Sequence, residues 1–320
     1  SAPVASESEA VNVLATPQNV LVDHDVAAAI KGLGPERSEI FRNGLATGVL
    51  GWAGGGPPVD ACLDLMTFGQ AESVLRSSRQ QVTEAIGREP AVYARFAGTT
   101  PSDMTSVLVR LGYVGMIPLD FAGGTGFGDE AKVILRAAGA EIESLTAKPI
   151  DATSDASFLT LGPRLGESID SGEIATALLA HWPAEACDSH RDLRRVASWS
   201  LALGKFWKLD DYFREGERPY HHGNGRAASP DAPDYLNRQV QAGQDDPLTT
   251  VATGFRRQIA AESQAKLRGL TRLVAPPGQA DTSTGTSSTP GASSVAPEEL
   301  AAPEELAESF ASAVGQASGE

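Results

Sequence analysis

Cysteine is scarce in this chain, with Cys62 and Cys187 the only two in 320 residues. Two thiols make no disulfide framework, and neither belongs to a Cys-x-x-Cys pair, so the usage favours a reducing, cytoplasmic compartment. Long apolar runs are also missing. Nothing approaches the roughly 20 consecutive apolar residues of a bilayer-spanning helix, so no membrane span is expected. Basic residues are in deficit: 26 Lys and Arg against 41 Asp and Glu leave a net charge of -15. That balance argues against nucleic acid and anionic membrane surfaces as partners, because both call for basic patches. A phosphate-cradling GxxxxGK[ST] string is absent as well. The glycine-rich stretch "LDFAGGTGFGDEAK" (119–132) lacks the GxGxxG spacing, and the residues after it read as strand. No helix N-terminus follows to hold an anion, so the stretch reads as a mobile loop at a strand end.

The chain does hold enough apolar sequence, 41% of its residues, for a sizeable core in one large or two smaller domains. It opens Ser-Ala-Pro with neither a methionine nor a signal-peptide pattern, a start that reads as processed or truncated. Residues 1–21 read as a flexible lead-in. From 22 to 213, short apolar runs alternate with helical periods. "LATGVLGW" (45–52), "PAVYARF", "GYVGMIPLDF" and "IATALLAHW" read as strands, the last as the clearest buried one. "KFWKL" is a further strand, and "KVILRA" with "AEIESLTAKPI" pairs as a hairpin across "AGA". Phe68, Ala71, Leu75, Val82 and Ile86 recur at helical spacing, and "HRDLRRVASWSLALG" is a second helix. Strands separated by helices imply an α/β fold with a parallel sheet or barrel.

The remainder is organised differently. Residues 214–245 read as a polar loop and 246–275 as one long amphipathic helix marked by Leu248, Val251, Phe255, Ile259, Leu267 and Leu270. Residues 276–296 are Ser/Thr/Pro/Gly-rich and read as a disordered linker. Residues 297–320 begin with the near repeat "PEELAAPEELAE" and read as an acidic amphipathic helix with Leu306, Phe310 and Val314 on one stripe. Such a helix is short for independent stability, and docks on a further domain or partner or leads into more sequence.

In an α/β barrel the active site sits at the carboxyl ends of the strands. The predicted ends carry Trp52, Arg95, Asp120, His181 with Trp182, and Asp210 with Asp211. Aromatics, carboxylates, an Arg and a His around one mouth suit a polar ring such as a sugar. Asp120, Asp129 and His181 are the candidate catalytic groups, and Trp52, Arg95, Trp182 and Asp211 the candidate substrate contacts. Each has a structural alternative. Trp52 and Trp182 serve equally as packing residues, Arg95 as an ion-pair partner of Asp120 or Asp129, and Asp210 and Asp211 as turn caps. "DSHRD" (188–192) and "HHGNG" (221–225) hold metal-ligand residue types. The first reads better as a helix start and the second as a solvated loop.

Three stretches, "EPAVYARFAGTTPSDMTSVLVRLGYVGMIPLDF", "AKPIDATSDASFLTLGPRLGESIDSGEIATALLAHWP" and "HRDLRRVASWSLALGKFWKLDDYF", together resemble the catalytic region of bacterial proteins related to glycoside hydrolase family 38. That is the α-mannosidase family, and the resemblance extends more distantly to family 57 and the polysaccharide deacetylases. It covers roughly residues 46–213 and rests on segment order. It implies a (β/α)7-type barrel, a carbohydrate ligand, a divalent metal without a clear ligand motif here, and a further β-sandwich domain in a longer chain. The family's nucleophile, an Asp before Phe-Gly-His, has no counterpart in "YARFAGTT", where Ala94 and Arg95 stand. Its His-x-Asp metal motif is met only by "VDHDV" (Asp23, His24, Asp25), in a different order. The resemblance thus implies a glycoside-binding or glycoside-hydrolysing barrel. The alternative is an inactive carbohydrate-binding or scaffold protein whose C-terminal helix docks a partner.

Overall fold

A computed structural model of the chain describes residues 16–121, 131–137, 139–146, 148–181, 185–220, 222–224 and 232–274. Asp129, Trp182, His221, the glycines of the loop at 122–128, the linker 276–296 and the acidic segment 297–320 lie outside the described residues. The described residues divide after Tyr235 into two compact units.

The first unit alternates strands and helices from its start. β1 (Gln18–Val22) begins inside the stretch that the sequence reads as lead-in. Asp23 then caps α1 (His24–Lys31), and Pro35 opens α2 (Pro35–Ala46) at the position where a missing N–H costs nothing. β2 (Leu50–Gly55) follows; Leu45 and Ala46, assigned to this strand from sequence, form the last turn of α2. α3 (Phe68–Ile86) starts with a capping box. The Thr67 hydroxyl accepts from the Gln70 amide while the Gln70 side chain accepts from the Thr67 amide. Gly87 ends it in the left-handed region at φ 79. Next come β3 (Val92–Ala94), α4 (Thr105–Arg110) and β4 (Gly115–Ile117).

β5 (Lys132–Ala137) and β6 (Ala140–Leu145) form the expected antiparallel hairpin, with Gly139 at φ 77 in its turn. Then follow β7 (Ile150–Asp151), α5 (Leu161–Asp170), β8 (Leu179–Ala180), α6 (Asp188–Ala197), α7 (Leu209–Glu215) and β9 (His222–Asn224). The main sheet has the order β1-β2-β3-β4-β6-β5-β9. Its first five strands in that order are mutually parallel. β5 runs against β6, and β9 runs parallel to β5. The architecture is therefore α/β with a mainly parallel sheet. Among the described residues no pairing joins β1 to β9.

Both faces of the sheet are covered. On one face Tyr93, Met116 and Ile142 pack with Leu75 of α3 and Leu108 of α4. On the other, Ala94, Ile117 and Leu145 pack with Leu209, Tyr212 and Phe213 of α7. The neighbouring pairs Tyr93/Ala94 and Met116/Ile117 alternate between faces, as a pleated strand requires. Coverage on both sides explains why the strands read as continuous apolar runs rather than as alternating patterns.

Three sequence assignments are corrected here. "IATALLAHW" contributes only the two-residue β8, half-buried, which pairs with β7 in a separate small sheet. "KFWKL" is no strand: its aromatic residues pack as an irregular segment leading into α7. Within 214–245, read as loop, the chain finishes α7 and forms β9 and α8 (Ala232–Gln241). The second unit is built on α9 (Pro247–Val274), which matches the long helix expected over 246–275.

Candidate functional site

Parallel pairing brings the carboxyl ends of β1, β2, β3 and β4 to one edge of the sheet, and backbone hydrogen bonds tie the segments after them together. The His24 amide donates to Gly56 O at 3.2 Å, and the Gly56 amide to Ala94 O at 3.0 Å. Glycine is needed at 54 and 56 because a Cβ at Gly54 would meet the Val22 carbonyl oxygen and one at Gly56 the Arg95 side chain. Three segments thus meet at backbone distance along this edge.

Arg95 locks the arrangement. It is 1% exposed and ranks among the largest fully buried side chains. One terminal nitrogen, Nη1, donates to Thr99 O at 3.1 Å. The other, Nη2, donates to Ala61 O at 2.9 Å and Pro58 O at 3.4 Å. A guanidinium presents several donors in a rigid fork, so one side chain holds the loop after β2 against the loop after β3. Beneath it the Tyr93 hydroxyl and Thr100 Oγ1 are 2.9 Å apart in a buried hydrogen bond. Arg95, read from sequence as a substrate contact or an ion-pair partner, is a clamp on backbone carbonyls.

Asp23 supports the same edge from β1. Its Oδ1 accepts from the amides of Asp25 at 3.1 Å and Val26 at 3.0 Å, and its carboxylate also accepts from the Phe96 backbone. Burial raises its pKa from the ordinary aspartate value, outweighing those hydrogen bonds, with the Asp25 charge adding to the rise. Asp25 Oδ1 lies 3.1 Å from His24 Nδ1, and its Oδ2 accepts from the Val59 amide at 3.3 Å. These three residues are engaged in capping and loop contacts, so the donor set does not fit a metal centre. Among the described residues no three His, Cys, Asp or Glu side chains converge to hold a metal ion.

The remaining candidates scatter. Asp120 follows β4 at the carboxyl edge and is half-buried. Trp52, 6% exposed, packs with Val22, Ala27, Val82 and Ile86, a core position rather than an open platform for a ring. The pleat of β2 turns it toward the helices. Asp211 sits at the amino edge instead. Its Oδ2 pairs with Lys208 Nζ at 2.7 Å, and the adjoining Leu209 amide donates to Asn19 Oδ1, near the start of β1. His181 follows β8 on the small sheet, and its ring centroid lies 5.7 Å from that of His190. Asp129 and Trp182 lie outside the described residues.

The "DSHRD" segment opens α6, but the N-cap residue is Cys187, and the capping acceptor comes from elsewhere: Asp155 Oδ1 accepts from the Ser189 amide at 2.9 Å. His190 turns inward, 5% exposed, among the rings of Phe158, Phe206 and His181, with no hydrogen-bond partner for its buried Nδ1. Burial, then the charges of His181 and Arg194, hold its pKa below the usual imidazole value.

The sequence reading missed Asp23 as a rim element because the same letters were weighed as a metal motif. An Asp directly ahead of a helical period was the available signal.

No protein-family profile and no curated protein sequence matches the chain. Among solved structures, the chain is similar to 4-alpha-glucanotransferase from Thermococcus litoralis, at TM-score 0.46 and 13% identity over 65% of this chain and 35% of that one. The chain thus spans little more than a third of that enzyme's length.

Proposed function

We propose that this chain is a carbohydrate-binding α/β domain of the (β/α)7 type that holds a glycoside at the carboxyl edge of its parallel strands without hydrolysing it. The observation that carries this reading is the use of Arg95 and Asp23. The position neighbouring the family-38 nucleophile holds an arginine spent on three carbonyls, and Asp23, an acid of the same edge, is spent on three backbone amides. Glycoside hydrolysis calls for two carboxyl groups facing one bond, about 5–5.5 Å apart for retention and about 6.5–9.5 Å for inversion. Among the described residues, Arg95 and Asp23 are engaged in holding the rim's own loops rather than placed as such an acid pair. Asp120, half-buried beyond β4, is the side chain assigned to a sugar hydroxyl.

What supports the ligand class is the segment order resembling glycoside hydrolase family 38, together with a rim built from backbone carbonyls, glycines and short polar side chains. The test is equilibrium binding of manno- and gluco-oligosaccharides alongside release of nitrophenol from aryl glycosides. Saturable binding weakened by Asp120→Asn, with no turnover, is the expected outcome. Turnover abolished by Asp120→Asn would make the chain a hydrolase and overturn the non-catalytic reading.

A further inference from the structure

α9 is a 28-residue helix with an uncovered apolar stripe. Leu248, Phe255, Ile259 and Leu270 fall within a narrow arc at 100° per residue, and they are 64%, 39%, 45% and 58% exposed. The charge of the helix is opposite to that of the chain. It carries Arg256, Arg257, Lys266, Arg268 and Arg272 against the single acid Glu262, in a protein of net charge -15.

We propose that residues 297–320 of this same chain dock along α9 and cover that stripe. Their composition complements the helix in both respects. They hold Glu298, Glu299, Glu304, Glu305, Glu308 and Glu320 with no Lys or Arg, and Leu306, Phe310 and Val314 recur every fourth residue. A second α9 is excluded as the occupant by sign, because it would set five cations against five. Two copies of the acidic segment repel in the same way.

The tether favours docking within one molecule. Residues 275–296 are rich in Ser, Thr, Gly and Pro, and 22 residues of that composition span about 26 Å root-mean-square. α9 is about 42 Å long at 1.5 Å per residue, so the acidic segment reaches most of it. Effective concentrations for such a tether are on the order of millimolar, so a weak contact is largely formed at micromolar protein. Interleaved apolar contacts supply the affinity, and the charges fix the partner.

Hydrogen exchange on the full chain, with molar mass from light scattering, tests this. The double variant Leu306→Asp/Phe310→Asp alters only residues outside the two-faced sheet and its helices. It is expected to speed exchange of the α9 amides roughly tenfold over 255–270, leaving β1 to β4 unchanged and the mass monomeric. Charge reversal at Arg256 and Lys266, the cations nearest the stripe, to Glu should do the same, and adding Glu304→Lys/Glu305→Lys should restore protection. Identical α9 exchange in wild type and double variant overturns the proposal. So does a dimer that persists in the double variant, since a second copy would then be covering the stripe.

Discussion

Arg95 Nη2 donates to the carbonyl oxygen of Ala61 at 2.9 Å, across 34 residues of sequence. The bond joins the loop after β2 to the residue that follows β3, and the same guanidinium reaches Thr99 O on the far side. Arg95→Met should therefore cost about 3 kcal/mol, because a charged hydrogen-bond network is lost and its carbonyls stay buried. Arg95→Lys should recover only part of that, since an ammonium lacks the planar fork. Urea unfolding of the three proteins checks the order; equal stabilities would remove Arg95 from its role as clamp.

Asp23 offers a test by pH. Its folded-state pKa is raised by burial, so the folded protein holds a proton more tightly than the unfolded chain does. This contribution to stability is present below the unfolded value, near 3.8, and is lost as pH rises through the folded value. Asp23→Asn keeps the capping oxygen and sheds the buried charge, so at neutral pH it should equal or exceed wild type in stability. Asp23→Ala should cost about 1 kcal/mol through the lost cap. Thermal unfolding of both variants at neutral pH distinguishes cap from charge.

His190 shifts the other way. Its pKa is lowered by burial first, with His181 and Arg194 adding to the effect, so the unfolded chain binds its proton more readily. Stability is fully present above the unfolded value, near 6.5, and declines as pH falls toward the folded value. His190→Phe fits the surrounding rings of Phe158 and Phe206 and should flatten the stability profile below the unfolded value near 6.5. A profile unchanged by the substitution would place the pH sensitivity elsewhere.

Two glycines contrast sharply. Gly54→Ala drives a methyl into the Val22 carbonyl oxygen on the neighbouring strand, which cannot move without unpairing β1 from β2. A loss of more than about 2 kcal/mol is expected. Gly166→Ala, in the middle of α5 with open space around it, should gain about 0.5–1 kcal/mol from helix propensity. Chemical denaturation of the pair reads both signs.

The sequence made some elements plain and hid others for physical reasons. α3 announced itself by a sustained apolar period from Phe68 to Ile86, and the β5–β6 hairpin by two strand-like runs around a glycine. α9 was legible because its stripe is long. β8 misled because "IATALLAHW" is apolar enough for a buried strand, and burial of Leu179 and Ala180 is decided by what packs on them. Trp52 was legible as a strand residue, but which face it takes depends on the pleat of β2, and strands covered on both faces carry no alternation to read. Asp211 was misplaced together with the strand assigned to "KFWKL", which put it at the wrong edge of the sheet. Asp120 was placed at the carboxyl edge because β4 itself was found.

The central claim, a glycoside held at the carboxyl edge without being cleaved, is tested most directly by amide chemical-shift mapping during titration with manno- and gluco-oligosaccharides. The account predicts saturable shifts clustered at Gly56, Phe96 to Thr100 and Asp120, with the sugar recovered intact afterwards. Shifts confined to the amino edge around Lys208 and Asp211, or none with any sugar at millimolar concentration, would contradict it.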